Sequence, residues 1–417
     1  MITRIEALNY RCLRRVSQGV RPFQMLVGPN ASGKSTFFDV VSFLSDLTSS
    51  GLSRAVNNRT GNFCDLTWNR QEAHLQLAVE VAIGPKFDES RYDLIRYEVA
   101  VTAPSDGDTV QIDDERVFLL DTSSNLFEQE RGAFLPVGTE PSLISPTGAT
   151  SSRRLVLAKT VQHADSNDLF IPESSELTSH ESYPFKLGTH VSALSALPED
   201  KTKFPVTAWF RDILRGGIAV YRLDSAMLRR ASPPKLGNRL RADAANLPWV
   251  IEDLKAEHPE RFDEWLRHVQ TALPDLVDIR TVLREDDRHR YLVLKYAGVE
   301  VPSWCVSDGT LRLLALTIPA YIERFEGILL IEEPENGLHP LAIETVMQSL
   351  RSVYDGQVLV ATHSPLIVTQ AGPEEVLCFN HDAENGTHIV SGDKHPHLSD
   401  WQGEVSLGTL FASGVLG

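Results

Sequence analysis

Three clusters of residues in this 417-residue sequence are suited to phosphate chemistry. The first, Gly28-Pro-Asn-Ala-Ser-Gly33-Lys34-Ser35, fits GxxxxGK[ST] at every defined position. Glycines let successive backbone N–H groups turn inward around an anion, Lys34 neutralises the β and γ groups of a nucleotide, and Ser35 places a hydroxyl on Mg²⁺. The competing reading is a plain glycine turn before a helix. Context argues against it, because the match lies between a strand-like run, Phe23–Val27, and an amphipathic segment, Lys34–Leu47, whose helix would aim its positive end at the same anion.

The second cluster is a pair of acids. The apolar run Ile328–Ile331 delivers Glu332 and Glu333 at the C-terminal end of a strand, where open α/β sheets bind ligands. One carboxylate beside a phosphate-bound metal holds its water shell and the next orients the attacking water. That logic makes Glu332 the metal-side residue and Glu333 the catalytic base. One helix later, Val358–Ala361 ends in Thr362-His363-Ser364-Pro365, which suits His363 to sensing a γ-phosphate or its hydrolytic water. In the third cluster, Val306-Ser307-Asp308-Gly309-Thr310 precedes an apolar helix over Thr310–Ile322, so Ser307 and Gly309 would expose a helix N-terminus. Alone it reads as an N-cap; its place shortly before the acidic strand makes it informative.

The elements that must position these groups are legible by periodicity. Ile2–Asn9 alternates like a half-buried strand, and strand-like runs follow at Leu75–Ile83, Tyr92–Val101 and Val117–Leu120. From Asp121 to Ser182 the chain is rich in Ser, Thr, Gly, Pro and Glu and reads as loops. Helical patterns return at Val206–Leu214, Pro248–Lys255 and Pro259–Leu273, with strands at Ile218–Leu223, Val277–Leu283 and Tyr291–Tyr296. After Pro302, strands alternating with helices, including Leu341–Val353, imply a parallel sheet with covered faces.

Composition bounds the rest. A net charge of −16 disfavours a protein that coats DNA, since such binding rests on many Lys and Arg contacts. The basic cluster Arg229, Arg230, Lys235, Arg239 and Arg241 reads first as a solvated face or a loop pairing with acidic neighbours. Four cysteines without a CxxC pair are expected to be buried thiols in a reducing compartment. His395-Pro-His397 reads as a surface loop rather than a metal site. No signal peptide and no bilayer-length apolar run are visible, so a cytoplasmic protein without membrane association is expected.

Together, GPNASGKS (Gly28–Ser35), VSDGT (Val306–Thr310), LLIEEPENGLHP (Leu329–Pro340) and THSP (Thr362–Pro365) resemble the ATPase heads of the ABC superfamily. Within it the likeness is to the soluble AAA-type ATPases near the overcoming-lysogenization-defect nucleases and the chromosome-maintenance and recombination-repair ATPases. RADAANLPWVI (Arg241–Ile251) and SLGTLFASGVLG (Ser406–Gly417) also look like that branch; residues 105–240 are tied to it by position alone. The resemblance implies an α/β ABC-type P-loop ATPase head with an antiparallel β subdomain and an inserted, partly helical lobe. In that division residues 1–104 and 301–417 form the head and 105–300 the insertion.

The resemblance further implies that Gly28, Asn30, Gly33, Lys34, Ser35 and Thr36 hold ATP phosphates, that Ser35 and Glu332 serve Mg²⁺, and that Glu333 and His363 are the catalytic glutamate and switch histidine. Ser307 and Gly309 would meet the γ-phosphate held by an opposite protomer, giving a homodimer or higher homo-oligomer. Two departures stand out. The metal-side acid is often Asp, and the usual pair of signature glycines is here Asp308-Gly309. Gln71 and Gln76 are the candidates for the glutamine loop.

The expected activity is ATP hydrolysis by a head dimer that switches a separate effector protein, as relatives do in anti-phage defence. No nuclease-like acidic cluster follows the His motif, so an effector would be another chain. A DNA-binding repair ATPase and a non-hydrolysing nucleotide-dependent scaffold are the competing readings.

Overall fold

The computed structural model describes all residues except 72, 88–89, 104–108, 124–140, 149, 151, 161–167, 174–181, 238, 323–326, 399–400, 402, 404 and 417. Its strands are β1 (Ile2–Tyr10), β2 (Leu13–Gly19), β3 (Phe23–Val27), β4 (His74–Ala82), β5 (Leu94–Thr102), β6 (Gln111–Leu120), β7 (Arg153–Thr160), β8 (Asp168–Phe170), β9 (Tyr183–Phe185), β10 (Ile218–Tyr221), β11 (Leu276–Leu283), β12 (Arg290–Tyr296), β13 (Val299–Pro302), β14 (Ile328–Glu332), β15 (Gln357–Thr362), β16 (Val376–Asp382) and β17 (Gly386–Ser391). The helices are α1 (Lys34–Ser50), α2 (Leu52–Asn57), α3 (Pro205–Gly216), α4 (Ser225–Arg229), α5 (Leu247–Glu257), α6 (Pro259–Ala272), α7 (Asp308–Thr317), α8 (Pro340–Arg351), α9 (Pro365–Val368) and α10 (Leu407–Ala412).

These elements gather into two compact units. The first comprises Met1–Arg21, Asn30–Ile218 and Phe379–Ile389. Its frame is an eight-stranded sheet in the order β2-β1-β4-β5-β6-β7-β8-β9, antiparallel at every pairing. Helix α1 buries Phe37, Val40, Val41, Leu44 and Leu47, the stripe that a 3.6-residue period predicts. The sheet also encloses charge. Arg96 on β5 reaches Glu6 on β1 at 2.6 Å, Glu80 on β4 at 2.9 Å and Glu98 at 2.6 Å. A buried guanidinium is tolerated because its donors are matched by carboxylates.

The second unit comprises Pro22–Pro29, Ala219–Cys378 and Val390–Gly417. Its main sheet runs β10-β14-β15-β3-β16, with β14/β15, β15/β3 and β3/β16 parallel. Parallel strands are covered on both faces, so their sequences are continuous apolar runs. Leu329, Leu330 and Val360 are accordingly inaccessible to solvent. A smaller antiparallel sheet, β11-β12-β13, lies in the same unit, as do helices α5 and α6, and buried Trp265 on α6 donates its indole N–H to Thr317 on α7 at 2.9 Å.

Several expectations are corrected. Strands β6 to β9 extend the sheet begun by β1, β4 and β5, so the long central segment of the first unit reaches Ile218. Within Asp121–Ser182, where loops were expected, β7 and β8 are strands; the rest of that stretch lies largely outside the described residues. The charges of Arg153, Arg154 and Lys159 hide β7 from a periodicity test. In the fold they are buried, Lys159 donating to the carbonyls of Gly188 and Val191. All four cysteines are free, but only Cys378 is buried, its thiol pushed up to about 12 by desolvation; Cys64 and Cys305 are exposed and Cys12 is half-buried. Among the described residues, no helix is long and apolar enough to cross a membrane, and no group of metal-ligating side chains is assembled.

Candidate active site

Strand register brings three chain segments to one edge of the second unit. Glu332 pairs with Ala361, Ala361 with Leu26, and Thr362 with Val27. The end of β14 (Glu332), the end of β15 (Thr362, followed by His363) and the end of β3 (Val27, followed by Gly28) therefore lie side by side. All three strands run parallel, so all three carboxyl ends face the same edge, where helix N-termini and loops collect ligands.

Glu333 follows β14 in an unusual backbone conformation, with φ 47°. A non-glycine residue in this left-handed region stores about 1–3 kcal/mol of strain and persists only where neighbours fix it. Here its N–H donates to the Ala361 carbonyl at 2.8 Å, and Asn336 Nδ2 donates to its Oε2 at 2.5 Å. The other carboxylate oxygen lies 3.8 Å from His363 Nε2. Both side chains are partly exposed, so the pair can share a water molecule. Glu332, one residue earlier, is exposed at the strand tip.

Glu335 is a residue that sequence reasoning passed over. Its Oε1 accepts from the Thr362 hydroxyl at 2.7 Å and from the His363 N–H at 3.3 Å, tying the acidic loop to the base of the histidine. Its Oε2 is buried without a hydrogen-bond partner among the described residues. The signal was present as a third acid in Glu332-Glu333-Pro334-Glu335.

Gly28 and Pro29 continue β3, and the remaining loop residues, Asn30 to Thr36, begin the long central segment of the first unit. Ala31 (φ 61°) and Gly33 (φ 103°) both turn left-handed, the alternation that aims successive N–H groups at one point. Gly33 caps α1 with no side chain on the orphan amides. A Cβ there would collide with the Thr387 side chain and sit 3.2 Å from Cys12 Sγ. Thr387 also donates to the Ser32 carbonyl at 3.0 Å, and Cys12 contacts the Thr36 hydroxyl at 3.4 Å. These two braces were not foreseen. Lys34 is buried, with its Nζ 3.3 Å from Ser32 Oγ, while Asn30 and Ser35 are exposed.

In the third cluster, Ser307 is the N-cap of α7, its Oγ accepting from the Thr310 N–H at 3.2 Å. Gly309 is needed for a steric reason: a Cβ on it would lie 2.5 Å from the Gly337 carbonyl oxygen. The serine-led helix thus packs on the loop that follows Glu333. Gly309→Ala is expected to lower the unfolding free energy by about 1–3 kcal/mol, as overpacking does. Denaturant titration reads it, and unchanged stability would mean that the two loops part freely. Asp308 does not stand alone; Arg229 grips its Oδ1 through Nε at 2.8 Å and Nη2 at 2.7 Å. Of the glutamine-loop candidates, Gln76 has its amide oxygen engaged by Ser142 and the Leu143 N–H, and Gln71 follows a short 3-10 turn.

Among solved structures, the chain is similar to an Smc head bound to the C-winged helix domain of ScpA. The identity is 15%, with 93% of this chain and 97% of that one covered, at a TM-score of 0.53. It is likewise similar to the Smc head domain with an extended coiled coil, bound to the C-terminal domain of ScpA derived from Pyrococcus furiosus. There the identity is 14%, the coverage 100% and 98%, and the TM-score 0.51. These likenesses give the fold, that of an Smc head. No curated protein matches the sequence. A family model described as "AAA domain, putative AbiEii toxin, Type IV TA system" matches residues 150–369, a span holding Ser307, Gly309, Glu332, Glu333 and His363. That span is more than half of the chain, and the chain belongs to this AAA-domain family.

Proposed function

We propose that this protein hydrolyses ATP with Mg²⁺ between two closing copies, and that the cycle of closure and release switches a separate effector in defence of a cell against phage. The observation that carries the reading is the shared level of β3, β15 and β14, which aligns the start of the glycine loop with His363 and the Glu332–Glu333 pair. Gly28, Asn30, Gly33, Lys34, Ser35 and Thr36 would wrap the triphosphate. Glu333, held left-handed and braced by Asn336, would take the proton of the attacking water, with His363 orienting that water or the γ-phosphate. Ser307 and Gly309 of the other copy would cap the γ-phosphate.

The donor set suits the metal. Ser35 offers a hydroxyl and Glu332 a carboxylate, hard oxygen ligands and few of them, which fits an ion that keeps several waters and takes other ligands from phosphate. When bound, Mg²⁺ neutralises charge on the β and γ oxygens.

Two further points support the effector reading over a DNA-repair role. The family description speaks of a toxin–antitoxin system, and the Smc heads were crystallised with a domain of a separate protein. In the basic cluster, Arg229 and Arg241 are paired with Asp308 and Asp243, which lowers the charge offered to a phosphate backbone.

Phosphate release by the purified chain tests the enzyme reading. Turnover with ATP and Mg²⁺ that EDTA abolishes is expected; no release above a buffer control would leave the scaffold reading in its place.

A further inference from the structure

The signature-like motif carries an acid where an anion is to be received. Asp308 is the first residue of α7, between the two residues assigned to the trans γ-phosphate, Ser307 and Gly309. A carboxylate there suits the dipole of its own helix but repels a triphosphate arriving from another copy. A Cβ on Gly309 would crowd the Gly337 carbonyl oxygen, so Asp308 carries the only side chain between Ser307 and Thr310.

The structure supplies a counter-charge from a distant part of the chain. Arg229, the last residue of α4, places Nε and Nη2 on one oxygen of Asp308. Both side chains are about half exposed, 39% and 51%, so they sit at the surface a partner would approach. Helix α4 is itself pinned at both ends. Arg312, one turn along α7, donates Nη2 to the Leu223 carbonyl at 3.1 Å and Nε to Ser225 Oγ at 3.4 Å. At the other end, the Ser303 hydroxyl donates to the Arg229 carbonyl at 3.0 Å. Asp224 caps α4 by accepting from the Ala226 N–H at 2.8 Å. So short a helix has little stability of its own; these contacts fix where the guanidinium stands.

We propose that Arg229 is a positioning residue for the ATP-bridged dimer: it neutralises Asp308 and so lets the serine-led end of α7 accept the γ-phosphate of the opposite copy. This rests on the trans-capping role given to Ser307 and Gly309. The departure from two glycines at this motif is thereby compensated by a cation from α4. Arg229 acts through Asp308 and need not touch the nucleotide.

Dimerisation of the full-length chain in ATP and Mg²⁺, followed by sedimentation in a Glu333→Gln background, tests it. Arg229→Gln is expected to weaken the dimer by about tenfold or more, with the loss shrinking as salt is raised. Adding Asp308→Asn to Arg229→Gln is expected to restore the dimer to within about threefold of its strength with both residues intact, because no charge then needs cancelling. A bridge that merely anchored α4 would stay broken in the double variant, so an unrestored dimer overturns the role of Arg229. A Glu333→Gln protein that remains monomeric with Arg229 intact instead overturns the trans-capping reading, and this role with it. Thermal unfolding of each variant identifies any loss that comes from misfolding.

Discussion

Glu333→Gln is expected to retain ATP while phosphate release falls by about 10²–10⁴-fold, the span over which a positioned general base contributes. The side chain keeps its length, and its amide can still engage Asn336, which holds Glu333 Oε2 at 2.5 Å. The left-handed backbone at φ 47° should survive too, since the hydrogen bond to the Ala361 carbonyl involves only main-chain atoms. What disappears is the proton acceptor beside His363. Loss of a negative charge near the phosphates should also prolong the nucleotide-bound state, so a stable dimer is expected on size-exclusion chromatography with light scattering. Single-turnover measurement separates the steps. If the variant hydrolyses ATP as fast as the parent, another residue is the base and Glu333 is structural.

Lys34→Met should affect both binding and stability. Charge-assisted hydrogen bonds to an ionised ligand contribute about 1.5–3 kcal/mol each. Losing two of them weakens ATP binding by about 10²–10⁴-fold. Without nucleotide, Lys34 is buried with its Nζ 3.3 Å from Ser32 Oγ, and the variant gives up that contact. The variant is expected to lose the upward shift in melting temperature that ATP and Mg²⁺ give the parent. Titration calorimetry and thermal unfolding read the two effects. ATP binding undiminished in Lys34→Met would remove the loop from the site.

Much of this was legible because the relevant segments obey local rules. The glycine loop is defined by residues whose backbone freedom is required on the spot, as Gly33 at φ 103° illustrates. Strands β14 and β15 are short uninterrupted apolar runs and were placed to within a residue or two. Helix α7 was expected to begin at Thr310 and run to Ile322; it starts at Asp308 and tightens into a 3-10 turn at Ile318–Ala320, which contains Pro319. What stayed hidden was non-local. Strand β2, with Arg14, Arg15 and Gln18, lacks an apolar pattern and exists because β1 pairs with it in a hairpin. Glu98 and Glu115 look like solvent-facing positions, yet both are fully buried, Glu115 accepting from Tyr97, Ser192 and two backbone amides. No spacing rule links Arg229 to Asp308, or Thr387 to Gly33, because each contact joins stretches far apart in sequence.

The placement of β3 has a consequence for how the molecule must be made. A ribosome releases this five-residue strand well before its neighbours on either side, β15 and β16. The parallel sheet therefore cannot close until those later strands emerge, and Val27 must stay available until Thr362 does. For the same reason, a gene cut between residues 218 and 219 would yield a C-terminal fragment lacking its central strand. Such a fragment should aggregate when expressed alone and be rescued by a peptide spanning Pro22–Pro29.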